Sequence, residues 1–342
     1  MHNPPSSEAI PQPFQVEVRP PKRSKARKIM LGVLILVLLG SLAANIIGGW
    51  LAVKSGQMFE RSTIQDGNRK QVVAIYEIND VIRNDTSQQF MGFYRQLLKD
   101  KNVKAVILRV DSPGGECGPC DEMYEMVKSL RTAGGKKVIV AMGGAATSGA
   151  YFLSSAADEI VAQPTTITGG LGVIATWPVL KKMINAFGAD VVIVKAAGTE
   201  QWMARENKWD MPDDRVRQNM QDMLNVLMQR LRQAVQEGRG RRLNLNAVTT
   251  QPEGGEGPSP FNGRTYMVDD ALKLGLIDSV GFEQQAIDRA SALAGLSEPK
   301  VVRYKPVQDI LGRSKGQQQD SIQEFLMDNL YTPRIMMIWK SR

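Results

Sequence analysis

The sequence predicts an α/β fold with largely parallel sheets and flanking helices, and three observations carry that prediction. Four short segments are β-branched and almost continuously apolar: residues 72–78 (VVAIYEI), 103–110 (VKAVILRV), 137–142 (KVIVAM) and 191–194 (VVIV). Strands covered on both faces read this way, and such strands belong to parallel sheets. Helical periodicities run between them, and alternating strands and helices place helices on the faces of a sheet. The third observation is scale. A chain of 342 residues, 43% hydrophobic and 23% charged, is a folded protein of one or two domains with appendages. It contains no internal repeat.

The helices follow from spacing. Met123, Met126, Val127 and Leu130 recur at i, i+3, i+4 and i+7, and Gly134-Gly135 ends that run. A longer helix opens at Pro212, with Asp213 and Asp214 in the first turn, where acidic side chains suit the positive end of the helix dipole. Its stripe of Met220, Met223, Leu224, Leu227, Leu231 and Val235 reads as core packing and is expected to stop before Gly238.

The first 53 residues differ in kind. Residues 1–28 are rich in Pro, Ser and charge without periodicity, which reads as a disordered tail. Its basic residues Arg19, Lys22, Arg23, Lys25, Arg27 and Lys28, set against Glu8 and Glu17, supply about half of the net charge of +8. A nucleic-acid reading would want that charge on the folded body, so no nucleic-acid partner is expected. Residues 29–53 carry no charge and are long enough for a transmembrane helix, too long for the apolar core of a signal peptide. The basic flank keeps the N-terminus cytoplasmic and sends the rest of the chain across a bacterial inner membrane, with Trp50 at the interface. A linker (54–69), a folded domain (70–296) and a C-terminal tail (297–342) without assigned chemistry complete the organisation. The tail carries a polar spacer at Gln317-Gln318-Gln319 and a short amphipathic run ending at Trp339.

The only histidine is His2, at the extreme N-terminus. A Ser-His-Asp triad and the common catalytic zinc sites both need a positioned imidazole, so this chain supplies neither. Hydrolysis here would need a lysine or a carboxylate as base.

Two glycine-rich turns follow strands. Asp111-Ser112-Pro113-Gly114-Gly115 comes straight after VILRV and before a helix, where backbone amides can hold an anion or a developing oxyanion. It lacks the Gly-Lys-Ser/Thr of a P-loop and the G-x-G-x-x-G of a dinucleotide fold. The second, Gly143-Gly144-Ala145-Ala146-Thr147-Ser148-Gly149, crowds small residues around Ser148 at a strand-to-helix turn. That position suits either a nucleophile, with the following amide as oxyanion donor, or a helix N-cap.

Taken together, VILRVDSPGGE, then AATSGAYFLSSAADEIVAQPTTITGGLGVI, then FNGRTYMVDDALKLGLIDSVGFEQQAID resemble the signal peptide peptidase A (SppA) family. These are membrane-anchored Ser-Lys serine peptidases whose fold is related to the ClpP and crotonase proteins. In the third block Gly263-Arg264, Tyr266, Ala271, Gly275-Leu276-Ile277-Asp278 and Gly281 fall at the family's spacing. The resemblance covers residues 70 to 295. It implies Ser148 as nucleophile, the amides of Gly114, Gly115 and Gly149 as oxyanion donors, and no metal or organic cofactor. It also implies remnant signal peptides or other apolar peptides as substrates, and assembly into a homo-oligomeric ring or one mixed with a paralogue.

The chain departs from the family at the base. VVIVKAAGTEQW aligns with the family's strand and turn so that the lysine slot falls on Glu200. Lys195 lies five residues early, about 15 Å in extended chain, and Lys208 lies eight residues late. The base is therefore Lys208 or Lys195 after loop rearrangement, or a lysine from another subunit. Alternatively, the chain is a non-catalytic subunit or scaffold. A lysine base would also need a pKa lowered by burial or by a cationic neighbour.

Cys117-Gly118-Pro119-Cys120 matches the redox motif of thioredoxins but follows a glycine turn instead of an apolar strand ending in Trp. Outside the cytoplasm a structural disulfide between Cys117 and Cys120 is the expected state. A redox-sensitive switch and an incomplete metal site are the other two readings.

Overall fold

The computed structural model describes Met30, residues 32–43, 59–176, Val179, and residues 181–189, 214–247, 260–307 and 334–338. The chain divides into two compact units, Met1–Gln57 and Met58–Arg342. In the first, residues 32–43 are helical (α1), with apolar side chains such as Leu36 and Val37 exposed. Among the described residues no helix is long and apolar enough to cross a membrane. Part of the predicted span 29–53 lies outside them.

The second unit alternates as expected. It begins with β1 (Phe59–Gln65), β2 (Asn68–Asn79), α2 (Asn84–Lys99), β3 (Val103–Ser112), β4 (Gly114–Glu116) and α3 (Cys117–Thr132). It continues with β5 (Lys137–Thr147), α4 (Gly149–Ser154), β6 (Glu159–Ala162), β7 (Ile167–Gly169), β8 (Ile174–Thr176) and α5 (Lys181–Ala186). Next come α6 (Asp214–Arg239), β9 (Thr265–Met267), α7 (Val268–Lys273), β10 (Ser279–Val280), α8 (Glu283–Leu293), β11 (Pro299–Pro306) and β12 (Arg334–Ile338).

The main sheet runs in the order β1-β11-β2-β3-β5-β6-β10. From β11 to β10 every neighbouring pair is parallel, and only β1 is antiparallel on this path. Both faces are covered, which is why its strands read as continuous apolar runs. Along β2, Val73 and Ile75 point to a smaller core shared with Ile107, Ile139 and the Ala286, Ile287 and Ala290 face of α8. Their neighbours Ala74, Tyr76 and Ile78 join the larger core with α2, α3, α4 and α6. Past Met142, β5 leaves β6 and pairs with β7, which in turn pairs antiparallel with β9. A second, three-stranded sheet has the order β4-β12-β8, with both pairings antiparallel.

The structure corrects or extends four readings. The sheet extends beyond 70–296, because β1 arises from the linker and β11 from the tail. An aromatic cluster shows why: Tyr76 stacks on Phe93 at 4.5 Å, and Phe59 and Tyr304 meet Phe93 edge-on at 6.1 and 5.3 Å. These contacts seal β1 and β11 onto β2 and α2, and truncating Phe93 to Ala would cost about 3–5 kcal/mol. Second, the apolar stripe of α6 ends at Val235, before Gly238 as read, while the helix itself runs on. A side chain at 238 would collide with the Ser155 carbonyl, so the glycine lets α6 pass against the end of α4 and continue to Arg239. Third, the apolar stripe of α6 is core only in its C-terminal half: Leu231, Ala234 and Val235 are buried, but Met223 is exposed. Fourth, the C-terminal tail, which the sequence left without a role, supplies β12 at the centre of the second sheet. The predicted strand 191–194 lies outside the described residues.

Candidate active site

The first glycine turn is held by its own side chains. Asp111 Oδ1 accepts the Ala145 amide at 3.0 Å, tying the end of β3 to the end of β5. The buried Ser112 hydroxyl donates to the Asp80 carbonyl at 2.5 Å and accepts the Gly114 N–H at 3.1 Å. Gly114 then takes φ +99, a conformation open to glycine and strained for other residues. On one edge β4 is fixed by Ile82, whose amide donates to the Gly114 carbonyl and whose carbonyl accepts from Glu116, both at 2.9 Å. Its other edge pairs with β12.

The second turn holds Ser148 in a strained state. Ser148 has φ +54 and ψ −116, outside the left-handed helical well that non-glycine residues with positive φ usually occupy. Its backbone is locked on both sides: its amide donates to the Gly169 carbonyl at 2.7 Å, and its carbonyl accepts from Phe152 at 2.8 Å. Strain of this kind persists only where the surroundings over-determine it. A serine on a tight strand-to-helix turn presents its hydroxyl in the manner of a nucleophile elbow. Ser148 makes no side-chain cap bond to α4, so the N-cap reading does not describe its hydroxyl. Ser148 is fully buried, and its Oγ donates to the Gly172 carbonyl at 3.3 Å. Beside it, the buried Thr147 Oγ1 has no hydrogen-bond partner among the described residues.

The two turns meet. A Cβ on Gly114 would lie 2.8 Å from the Gly149 amide nitrogen and 3.0 Å from the Thr147 carbonyl, and would collide with the Met337 carbonyl oxygen. A Cβ on Gly149 would lie 3.0 Å from that same oxygen and 3.3 Å from the Gly115 amide nitrogen, and would strike Cys120 Sγ. Of the three predicted oxyanion donors, Gly114 already gives its N–H to Ser112. Gly115 is the register partner of Met337, and Gly149 packs against the Gly115 amide and the Met337 carbonyl oxygen. Preorganised backbone donors of this type stabilise the oxyanion of an acyl-transfer intermediate.

Cys117 and Cys120 are both buried free thiols, and the disulfide expected between them is not formed. They occupy the first turn of α3, where Cys120 packs under Gly149 and Cys117 hydrogen-bonds to the Met337 backbone. Burial, with the nearby Asp121 and Glu116 charges, pushes the Cys117 thiol up to about 12. Burial raises Cys120 as well. Both thiols are packing elements beneath the site, held away from the thiolate form that redox chemistry requires.

Lys195, Lys208 and Glu200 lie outside the described residues. Lys136 is a buried lysine whose ammonium is pushed down by burial, but it donates to the Asp100 and Val103 carbonyls at 3.0 and 2.8 Å. It stands at the opposite end of β5 from Ser148, more than about 30 Å along the strand, and cannot serve that hydroxyl.

The third sequence block is scaffolding. Tyr266 is buried against Gly169, and the Arg264 carbonyl accepts the Gly170 amide at 2.7 Å, which fixes the loop facing Ser148. Asp278 pairs with the buried Arg239 at 2.9 Å and accepts the Ile160 amide at 2.7 Å. Burial opposes its charge, yet Arg239 holds the carboxyl below its ordinary range. Sequence reasoning missed Ser112, Thr147 and Met337. The first two stand inside quoted motifs. Met337 had no signal beyond the amphipathic run ahead of Trp339.

Residues 131–297 match the model of peptidase family S49, and residues 64–167 match that of Clp protease. The chain is thus similar to peptidase family S49 over just under half of its length. A Methanocaldococcus jannaschii protein is 30% identical, over 64% of this chain and 65% of its own length. Protease 4 of Salmonella typhi is 27% identical, over 82% of this chain and 40% of its own. The chloroplastic serine protease SPPA of Arabidopsis thaliana is 28% identical, over 63% and 30%. The chain thus spans between about a third and two thirds of the length of these relatives. The resemblance to SppA read from the three sequence blocks holds.

Proposed function

We propose that the chain is a membrane-anchored serine endopeptidase of the signal peptide peptidase type. In this reading Ser148 attacks the carbonyl of an apolar peptide, such as a remnant signal peptide. The Gly115 and Gly149 amides take the oxyanion, and Lys208 or Lys195 moves the proton. The observation that carries the reading is the junction of the two turns: a strained, buried serine followed by Gly149, which packs against Gly114, the Gly115 amide and the Met337 carbonyl oxygen. Gly114 supports the turn by its bond to Ser112. No cofactor enters the scheme. Residues 29–53 are the anchor, with the N-terminus cytoplasmic and the catalytic unit on the outer side of a bacterial inner membrane. The exposed apolar residues of α6, Met223 and Val226, favour a ring of subunits, homo-oligomeric or mixed with a paralogue.

A second reading, a non-catalytic subunit, is favoured by Glu200 at the slot of the family's lysine. Fluorophosphonate labelling separates the two. Wild type is expected to label, Ser148→Ala to lose all labelling, and one of Lys208→Ala or Lys195→Ala to lose it with an unchanged melting temperature. Wild type that never labels, alone or mixed with a paralogue, overturns the peptidase reading.

A further inference from the structure

The proposed chemistry leaves one motif unused, Cys117-Gly118-Pro119-Cys120. It forms the first turn of α3, and Cys117 directly follows Glu116, the last residue of β4. Both sulfurs reach the junction of the two glycine turns: Cys117 hydrogen-bonds to the Met337 backbone, and a Cβ on Gly149 would strike Cys120 Sγ. The pair thus packs against Gly149 and is joined to Gly115 through the chain.

Its two members are not equivalent. Cys117 retains 9% exposure and Cys120 none, so a reagent from solvent meets Cys117 first and leaves Cys120 to resolve the product. Gly118, between them, faces open space and carries no Cβ to restrict a change of dihedrals. Burial holds both groups as thiols while the junction is packed, so exchange waits on a loosening of the turn.

We propose that Cys117 and Cys120 form a reversible redox switch beneath the candidate active site, with the dithiol of this structure as the active state and a Cys117–Cys120 disulfide as the inactive one. The oxidant is a small disulfide of the glutathione type. The Cys117 thiolate attacks one of its sulfurs and one thiol leaves; Cys120 then attacks Cys117 Sγ of the mixed disulfide and the second thiol leaves. Two protein thiols become one disulfide, one external disulfide becomes two thiols, and the two protons leave with them. Side chains at i and i+3 of a helix have Cβ atoms about 5–6 Å apart, whereas a disulfide needs about 3.5–4.5 Å. Forming the bond therefore tightens the turn and draws Cys120 Sγ from under Gly149, removing support from a candidate oxyanion donor. The switch rests on the proposed function for the activity it controls and for placing the pair where disulfides persist. The exchange itself needs neither.

The full chain is equilibrated in buffers of reduced and oxidised glutathione, free thiols are blocked with N-ethylmaleimide, and the bond is read by peptide mass spectrometry. It should form at oxidising ratios and disappear with dithiothreitol. Fluorophosphonate labelling should slow at least about tenfold in the oxidised chain and recover on reduction. Cys117→Ala, which cannot form the bond, should label at one rate in both buffers. Hydrogen exchange gives a readout without catalysis: peptides spanning residues 113–120 and 147–152 should exchange faster in the oxidised chain. A folded chain that stays a dithiol at every glutathione ratio overturns the proposal. A disulfide that leaves the labelling rate of a reactive chain unchanged overturns it too. A wild type that labels in neither state, but whose exchange responds to oxidation, removes the peptidase reading and leaves the switch standing.

Discussion

In the turn at residues 111–115 the polar side chains are spent on structure: Asp111 holds the Ala145 amide, and Ser112 bridges the Asp80 carbonyl and the Gly114 N–H. The turn at residues 147–149, a few ångströms away, is built the other way. Ser148 sits at a positive φ and makes one long hydroxyl bond, and Thr147 Oγ1 has no partner among the described residues. The two turns share a need for small residues and differ in what their hydroxyls do. The satisfied turn is fixed by its own hydroxyl and carboxylate, whereas its neighbour is fixed by backbone bonds and leaves its hydroxyls little used. Buried polar groups without partners are costly enough that such an arrangement is found where function demands it.

The largest effect is expected where the turns touch. Gly149→Ala drives a methyl into Cys120 Sγ and toward the Met337 carbonyl oxygen. Labelling by a fluorophosphonate should fall by about 100-fold or more, the scale of losing an oxyanion donor. Gly144→Ala is the comparison, since a methyl there makes only ordinary contact with Asp111 at 3.6 Å. It should label within about twofold of wild type. Similar losses in both variants would break the claim that the junction is special.

Next in size is a pair of serine deletions. Ser112→Ala strips a partner from the Gly114 N–H and the Asp80 carbonyl and should cost about 1–3 kcal/mol. Ser148→Ala removes one bond of 3.3 Å and should cost less by about 1 kcal/mol or more, measured by urea unfolding. If Ser148→Ala proves the more destabilising, the division of labour between the turns is wrong.

The thiols beneath the junction give a pH signature. Cys117 rises from 9.0 to about 12 on folding, and Cys120 shifts in the same direction, so the unfolded chain loses these protons first. A raised folded-state pKa means that stability is fully present below the unfolded value and is lost as pH climbs above it. Between about pH 9 and 10, each thiol should therefore remove about 1 kcal/mol. Cys117→Ala/Cys120→Ala should flatten that part of the profile. An unchanged slope would mean that the sulfurs are less buried than the packing under Gly149 requires.

The contrast between the turns also explains what could be read in advance. Parallel strands announce themselves because burial on both faces leaves no polar positions, as in β2 and β3. The strand-to-helix turn at Ser148 was legible from its crowd of small residues, but the residues alone left nucleophile and N-cap open, since the backbone strain there shows only in the fold. The bonding of Ser112 was not, since serine in a Pro-Gly turn fits many local hydrogen bonds and only the fold brings the Asp80 carbonyl within reach. The seating of Met337 is less legible still: strand pairing between residues more than two hundred positions apart leaves no local periodicity. The close approach at Gly238 was not legible for a related reason, because a glycine needed for contact looks in sequence like one that ends a helix.

The smallest effect probes the hydroxyl that the second turn leaves over. Thr147→Val keeps the shape and removes Oγ1, which is buried without a partner among the described residues. A group whose desolvation is uncompensated contributes nothing to stability, so the melting temperature should hold or rise, by up to about 1 kcal/mol of added stability. If Oγ1 is kept for the reacting groups around Ser148, labelling should nonetheless fall several-fold, and Thr147→Ser should restore it. A drop in stability with unchanged labelling would mean that Thr147 is satisfied in solution, like Ser112. The two turns would then differ only in the strain at Ser148.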